Sequence, residues 1–241
     1  MKNNHPKPKS TIEEIQKRFD QDVERFSNLD TGQQTTIDAP LTLELTTSAA
    51  ACLTPAALTL LDIGCGAGNY TLKMLEKIPD LDCTLIDLSM PMLRKADERV
   101  SAATKGRVEL LQADILAVAL PENQYDIVLA AAVLHHLRED ADWEAVFSKI
   151  YRALKPGGSF WISDLISHQP EALDRLFEKR YADYLEELGG PAYRDKVLDY
   201  IAAEDSPRSV SYQLELMRAA GFRYTEVLHK NACFAAFGGI K

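Results

Sequence analysis

Leu58-Thr59-Leu60-Leu61-Asp62-Ile63-Gly64-Cys65-Gly66-Ala67-Gly68-Asn69-Tyr70 runs from an apolar stretch through an acid into a glycine-rich turn and on into a helical pattern. Such an apolar run marks a strand covered on both faces, as in a parallel sheet. Gly64, Gly66 and Gly68 permit positive φ and close approach of a ligand to the backbone. A helix expected over 69–77 turns its free N–H groups toward that ligand. The spacing is G-x-G-x-G rather than the G-x-G-x-x-G of a dinucleotide-binding turn. Taken alone, the stretch also reads as a tight strand-to-helix turn with no ligand.

Working outward, the alternation continues. Leu85-Ile86-Asp87-Leu88-Ser89 ends a second apolar run in an acid about twenty residues on, where doubly wound sheets place a carboxylate that accepts from ribose hydroxyls. Val108 to Ile115 ends a third strand at Asp114. Tyr125 to Ala131 is a fourth strand, and Leu154-Lys155-Pro156-Gly157-Gly158 turns into a fifth. Strands are expected over 58–63, 82–87, 108–112, 125–130 and 158–163, with helices over 69–77, 90–103 and 139–153. Alternating βα units imply a parallel sheet with right-handed crossovers. A helix over 209–220 capped by Gly221, then strands over 222–229 and 231–237, completes a seven-stranded α/β sheet with an antiparallel edge hairpin.

In this order the motifs of residues 55–165 resemble the class I S-adenosylmethionine (SAM)-dependent methyltransferases, a Rossmann-like doubly wound fold. The resemblance implies SAM as cofactor and a methyl group transferred by in-line displacement. It implies that Gly64, Cys65, Gly66 and Gly68 approach the methionyl part. Asp62 orients the turn or meets the amino group, and Asp87 receives the ribose hydroxyls. Leu88 packs on the adenine face, Asp114 and Ile115 form the adenine pair, and Ala131 lines the cleft. Met92 reads equally as core. His135 and His136 follow the fourth strand, and Asp164 follows the fifth. His135 and Asp164 are the candidates for a general base where the acceptor must lose a proton. Adjacent histidines without a third nearby ligand make a poor metal site, so no metal is expected.

The flanks read as additions to this core. Residues 1–9 read as a flexible tail and 10–53 as a helical cap. Ser10 and Glu13 have capping-box spacing, and Ile12, Ile15, Phe19, Val23 and Phe26 share one helical face. That face suits a lid or a docking surface. Residues 31–38 read as a loop and 41–53 as a helix. Residues 170–203 break the rhythm as a helical insertion with Gly189-Gly190-Pro191 between two helices, and residues 209–241 form the C-terminal helix and edge strands. Tyr181, Tyr184, Tyr193 and Tyr200 line an acceptor pocket with Phe19, or else pack the insertion onto the sheet.

The layout also resembles, more distantly, carboxy-SAM synthase of tRNA modification. Phe19-Asp20-x-x-Val23, Lys149-Ile150-Tyr151-x-x-Leu154-x-Pro156-Gly157-Gly158 and Ala220-Gly221-Phe222 carry that likeness. The chain departs from it at Gly66, where that family has serine, and at Ala131, where it has asparagine. It departs again at Leu198, where that family has an arginine for a carboxylate; Arg194 and Lys196 stand only nearby. Ordinary methylation is therefore the main reading. Carboxy-SAM synthesis and non-catalytic SAM binding are the alternatives.

Composition sets the bounds. The 241 residues are 46% hydrophobic, which suits a single globular α/β domain with a self-sufficient core. No apolar run is long enough to span a bilayer, and the N-terminus lacks the apolar stretch of a secretory signal. Cys52, Cys65, Cys83 and Cys233 form no CxxC pair, which fits reduced thiols in a cytoplasm. A net charge of −9 without a sustained basic face argues against nucleic acid and for a small substrate or a protein partner; the resemblance favours a small-molecule acceptor. The edge hairpin and the apolar N-terminal helix leave a homodimer open.

Overall fold

A computed structural model describes residues 9–28 and 33–241; the expected tail, the start of the 31–38 loop and the Phe26 side chain lie outside the described parts. Helices α1 (Ile12–Gln21), α2 (Val23–Ser27) and α3 (Ala39–Leu53) precede the sheet. Then come β1 (Thr59–Ile63), α4 (Asn69–Leu75), β2 (Asp82–Asp87), α5 (Met90–Ser101), β3 (Val108–Gln112) and β4 (Tyr125–Ala131). A 3₁₀ turn, Leu134–His136, leads to α6 (Asp140–Ala153) and β5 (Leu154–Leu165). The chain closes with α7 (Glu171–Gly189), α8 (Pro191–Glu204), α9 (Val210–Ala220), β6 (Tyr224–Asn231) and β7 (Phe234–Ile240).

The seven strands lie in the order β3-β2-β1-β4-β5-β7-β6. The first five are parallel, and β7 runs antiparallel to both β5 and β6. The hairpin forms the expected antiparallel edge, with its second strand next to β5 and β6 outermost. This accounts for the length of β5, whose residues Ser159–Leu165 pair with β7 while Ser159–Ser163 also pair with β4. The strand order reverses between β1 and β4, and such a reversal opens a crevice beyond the carboxyl ends of the strands.

Apolar residues on both faces of each strand build two core layers. Along β1, Leu61 and Ile63 join Val128, Trp143, Phe147 and Ile150 on one side. Leu60 joins Leu85, Ile127, Leu129, Met74 and Leu93 on the other. Helix α6 buries Trp143, Val146, Phe147 and Ile150 at i, i+3, i+4 and i+7 spacing. A third cluster seats the insertion, with Tyr181, Leu185, Leu165, Cys233 and Phe234 packed together. Gly190 at φ +81° breaks α7 from α8, and Pro191 opens α8 at its first turn.

One local expectation is corrected. The capping box of α1 uses Thr11 and Glu14, not Ser10 and Glu13. Ser10 is engaged elsewhere: its N–H donates to Ala203 O at 3.1 Å and its hydroxyl to Glu204 at 3.3 Å, which lays the chain along α8.

The turn after β1 has little freedom. Gly64 holds φ +66°, and a Cβ there would lie 2.5 Å from Val133 Cγ2. We expect Gly64→Ala to cost about 2–4 kcal/mol, from left-handed strain and overpacking against a β-branched neighbour. Denaturant unfolding checks this; an unchanged midpoint contradicts it.

Candidate functional site

Beyond the carboxyl ends of β1, β2, β4 and β5 lies a cavity of about 420 Å³, covered by α1 and α8. Gly64, Cys65, Gly66, Ala67, Asn69 and Tyr70 line one wall. The turn is fixed by Cys65 N–H donating to Ile86 O at 3.0 Å and Gly68 N–H to Cys65 O at 2.8 Å. Arg99 adds bonds to Ala67 O at 2.6 Å and to Asn69 Oδ1 at 2.8 Å.

Two carboxylates flank this turn. Asp62 is 1% exposed, and Thr71 Oγ1 donates to its Oδ2 at 2.6 Å. Burial pushes its carboxyl up to about 7, the Asp87 charge adds to the rise, and the Thr71 bond opposes it. Asp87 accepts from Gly66 N–H at 2.9 Å and from Ser89 N–H at 2.8 Å. Its carboxyl is also raised by burial, against the pull of those amides. Both therefore line the cavity as acids held only by neutral donors.

The opposite wall belongs to β4, β5 and the 3₁₀ turn. Ala132, just past β4, sits at φ +51°, a left-handed conformation that costs a residue with a Cβ energy and tends to occur at functional clefts. Asp164 ties the turn to β5. Its Oδ2 accepts from Leu134 N–H at 2.8 Å and His135 N–H at 3.3 Å, and its Oδ1 accepts from Leu165 N–H at 2.8 Å and pairs with His135 Nδ1. For His135, burial works against charge, but the Asp164 and Asp205 carboxylates override it and raise the imidazole to about 9. His136 is lowered by burial and by the neighbouring His135 charge.

These facts bear on the general-base readings. A group raised to about 9 carries its proton at neutral pH and would have to lose it before acting as a base. Asp164 spends both oxygens on the 3₁₀ turn and the His135 ring.

The cover is latched at several points. Arg18 on α1 pairs through both terminal nitrogens with Glu204 on α8, which is 1% exposed, and lies over the Tyr200 ring at 4.7 Å. Ser89 Oγ donates to Asp20 at 2.6 Å, tying α1 to the turn after β2. Tyr181 and Tyr184 donate to Thr35 O at 2.8 Å and Gln34 O at 2.7 Å, holding the loop before α3.

The structure brings most of the expected residues to one cavity. Asp62, Gly64, Cys65, Gly66, Asp87, Leu88, Met92, Ala131, His135 and Asp164 line it, and so do Phe19, Tyr181 and Tyr200. Five expected residues lie outside the lining, among them Tyr193, which packs with the insertion cluster. Gly68 caps α4 at φ +82° and faces Val100 of α5. Asp114 Oδ1 accepts from Leu116 N–H at 2.8 Å, and Ile115 is buried in the core near α6. Tyr184 works at the loop. Of the cations weighed on the insertion, Lys196 lines the cavity, while Arg194 is held by Glu186 and Asp195. Leu198 packs with the insertion cluster. Sequence reading missed Arg18, Tyr70, Val133 and Asp205. It also missed that Asp205 brings a third potential ligand atom beside His135 and His136. A lone acid at a helix end, without motif spacing, carries no signal in one sequence.

Residues 60–158 match a family model described as a methyltransferase domain. The chain is 28% identical over 187 residues to demethylmenaquinone methyltransferase of Listeria welshimeri, covering 76% of this chain and 78% of that one. It is 26% identical over 175 residues to carboxy-S-adenosyl-L-methionine synthase of Helicobacter pylori, covering 70% of each. Residues 60–158 therefore carry a methyltransferase domain of the S-adenosylmethionine-dependent kind. Its fold matches human N-acetylserotonin methyltransferase, solved with SAM, at TM-score 0.61 and 17% identity. That match covers 95% of the methyltransferase and 57% of the human chain. Neither carboxy-SAM synthesis nor non-catalytic binding is favoured.

Two outcomes are expected of the methyltransferase. Asp62, at about 7 folded and 3.8 as a free side chain, keeps a proton in the native state that the unfolded state gives up. Its contribution is therefore lost as pH rises from about 4 to 7. Asp62→Asn removes that slope, so its stability relative to wild type should climb with pH by up to ~4 kcal/mol across the window, read by denaturation at pH 4, 5.5 and 7. A parallel pair of curves contradicts it. In Arg18→Ala, Glu204 is left buried without its cation, a loss of about 3–5 kcal/mol unless α1 undocks to admit water. Limited proteolysis within residues 9–28 should then accelerate, and unchanged cleavage would show that the latch is not holding α1.

Proposed function

We propose that the methyltransferase acts in the cytoplasm on a small-molecule acceptor, with the cofactor on the β1–β2 side of the cavity and the acceptor toward β4, β5 and the cover. The observation that carries the cofactor placement is the pair of acids, buried Asp62 and half-buried Asp87, on either side of the Gly64–Gly66 turn. Acids raised by burial and held by neutral donors suit a ligand bearing positive charge and paired hydroxyls. The residues present fit SAM on this ground. Bound SAM supplies a methyl group on a sulfonium that leaves as a neutral thioether, open to in-line displacement.

In this reading Asp87, its oxygens oriented by Gly66 and Ser89, holds the ribose hydroxyls. Asp62 receives the amino group, and Leu88 packs on the adenine. Gly64, with no Cβ, lets the turn approach the ligand while Val133 backs it. The cover supplies Phe19, Tyr181 and Tyr200, aromatic bodies that exclude water from an enclosed site of the usual ligand-pocket size. Their work is positioning, the main source of rate where the leaving group is already good. A cavity closed by α1 and α8 suits a small acceptor better than a polymer. Four free cysteines, three of them buried, support a reducing compartment. Among the described residues no helix is long and apolar enough to cross a membrane.

Calorimetric titration with SAM and with its demethylated product tests the reading. Saturable binding of both is expected. Asp87→Asn should weaken SAM by about 10- to 100-fold, since a charged acceptor bond contributes about 1.5–3 kcal/mol. Binding absent from folded, ligand-free protein removes the cofactor placement, and unchanged affinity in Asp87→Asn removes the ribose assignment.

A further inference from the structure

Two histidines of the 3₁₀ turn and an acid at the end of α8 converge on one point of the cavity wall. His136 Nδ1 lies 3.2 Å from Asp205 Oδ1, and His135 Nε2 lies 3.7 Å from the same oxygen. One ligand atom from each of His135, His136 and Asp205 falls within 4.8 Å of the others, the one such grouping of three or more His, Cys, Asp or Glu found among the described residues. His136 Nδ1 and Asp205 Oδ1 are buried and, despite their closeness, lack the alignment of a hydrogen bond. Buried polar atoms are ordinarily paired, so two that face each other unpaired point to a ligand between them.

We propose that His135 Nε2, His136 Nδ1 and Asp205 Oδ1 bind a divalent transition-metal cation of the zinc class, with its remaining positions open to the cavity. Two imidazoles and one carboxylate suit Zn²⁺, Co²⁺ or Fe²⁺ rather than the all-oxygen preference of Mg²⁺ or Ca²⁺. Ligand atoms about 2.1 Å from a tetrahedral ion stand about 3.4 Å apart, a value the observed 3.2 and 3.7 Å bracket. The third edge closes by rotation of a ring.

The supporting parts are in place. Asp164 holds Nδ1 of His135, as the carboxylate behind a metal-bound histidine does, and leaves Nε2 as the ligand atom once the ion displaces its proton. The Asp205 N–H donates to Ile201 O at 2.9 Å, and the next residue, Ser206, donates to His135 O at 2.7 Å. Acid and turn are thereby one rigid unit. All three residues line the same cavity as Phe19 and Tyr200, so an open position on the ion would take an oxygen of the acceptor. That last role rests on the methyl-transfer reading; the ion site does not.

Cobalt is the probe. The full chain, stripped with chelator and dialysed against Co²⁺, should take up one ion and show the visible absorption of a four- or five-coordinate site. Zn²⁺ should abolish the absorption. Asp205→Asn and His136→Gln should each weaken uptake at least tenfold, while His229→Gln, at a remote His–Asp pair, leaves it unchanged. Circular dichroism shows which variants fold, and either folded variant decides. Uptake below one ion per chain, or equal uptake by the variants, overturns the site. SAM titration of the same samples separates the two readings: SAM bound without Co²⁺ removes only the metal, and Co²⁺ bound without SAM removes only the cofactor placement.

Discussion

Gly64 holds a positive φ with Val133 against it because β1 and β4 are neighbours whose following segments leave in opposite directions. The chain after β1 must turn at once into α4. The chain after β4 must turn the other way, through Ala132 at φ +51° and the 3₁₀ turn, toward α6. The two turns touch at Gly64 and Val133 and then diverge, and the cavity is the space they leave. The remaining features adapt to that opening. Asp87 holds the first turn through the Gly66 amide, and Asp164 holds the second through the amides of Leu134 and His135.

The same geometry concentrates acids. Asp62, Asp87, Asp164 and Asp205 all line one cavity, three of them at 5% exposure or less. Burying carboxylates disfavours their charged form unless donors or cations compensate. The fold compensates unevenly. Asp164 collects amides and an imidazole. Asp87 collects two amides. Asp62 has a threonine hydroxyl and is pushed up to about 7. Asp205 Oδ1 has no bonded donor at all. The under-compensated acids lie on both walls, so the cavity is a receiver of positive charge at both ends. One end suits a cationic cofactor, and the other suits a metal ion.

Legibility in the sequence follows the range of the interactions. The strands and the cofactor wall are written in contiguous stretches: Leu58 to Tyr70 encodes strand, turn and helix at once, and Leu85 to Ser89 encodes strand and acid. Burial on both faces made the strands continuous apolar runs, so periodicity found them. The cover is different. Arg18 meets Glu204 across 186 positions, and His135 meets Asp205 across 70. Neither pair has a spacing that a single sequence can display. Ser10 shows the same limit at short range, because its capping-box spacing with Glu13 yields to Glu204, a partner 194 positions away. Asp114 shows a related limit. Its position past β3 matches a motif, and in the structure its carboxylate closes a local turn outside the cavity lining.

This division has a consequence for specificity. The cofactor wall depends on main-chain amides, glycine geometry and two strand-end acids, all fixed by the sheet. The acceptor wall depends on how α1 and α8 lie across the opening. Their placement is held by a few polar latches: Arg18 to Glu204, Asp20 to Ser89, and the Ser206 amide to His135 O. Helix α8 fully buries only Glu204 and packs Tyr193, Val197, Leu198 and Ile201 against the insertion cluster rather than the sheet core. A change in the insertion can therefore reshape the acceptor pocket without disturbing the sheet. Under the proposed placement, the residues that would select the acceptor are those whose positions α1 and α8 set: Phe19, Lys196, Tyr200 and Asp205. Asp205 belongs to both groups, because it is carried by the cover and locked to the 3₁₀ turn. It is the point at which the arrangement of the cover is transmitted to the chemistry of the site.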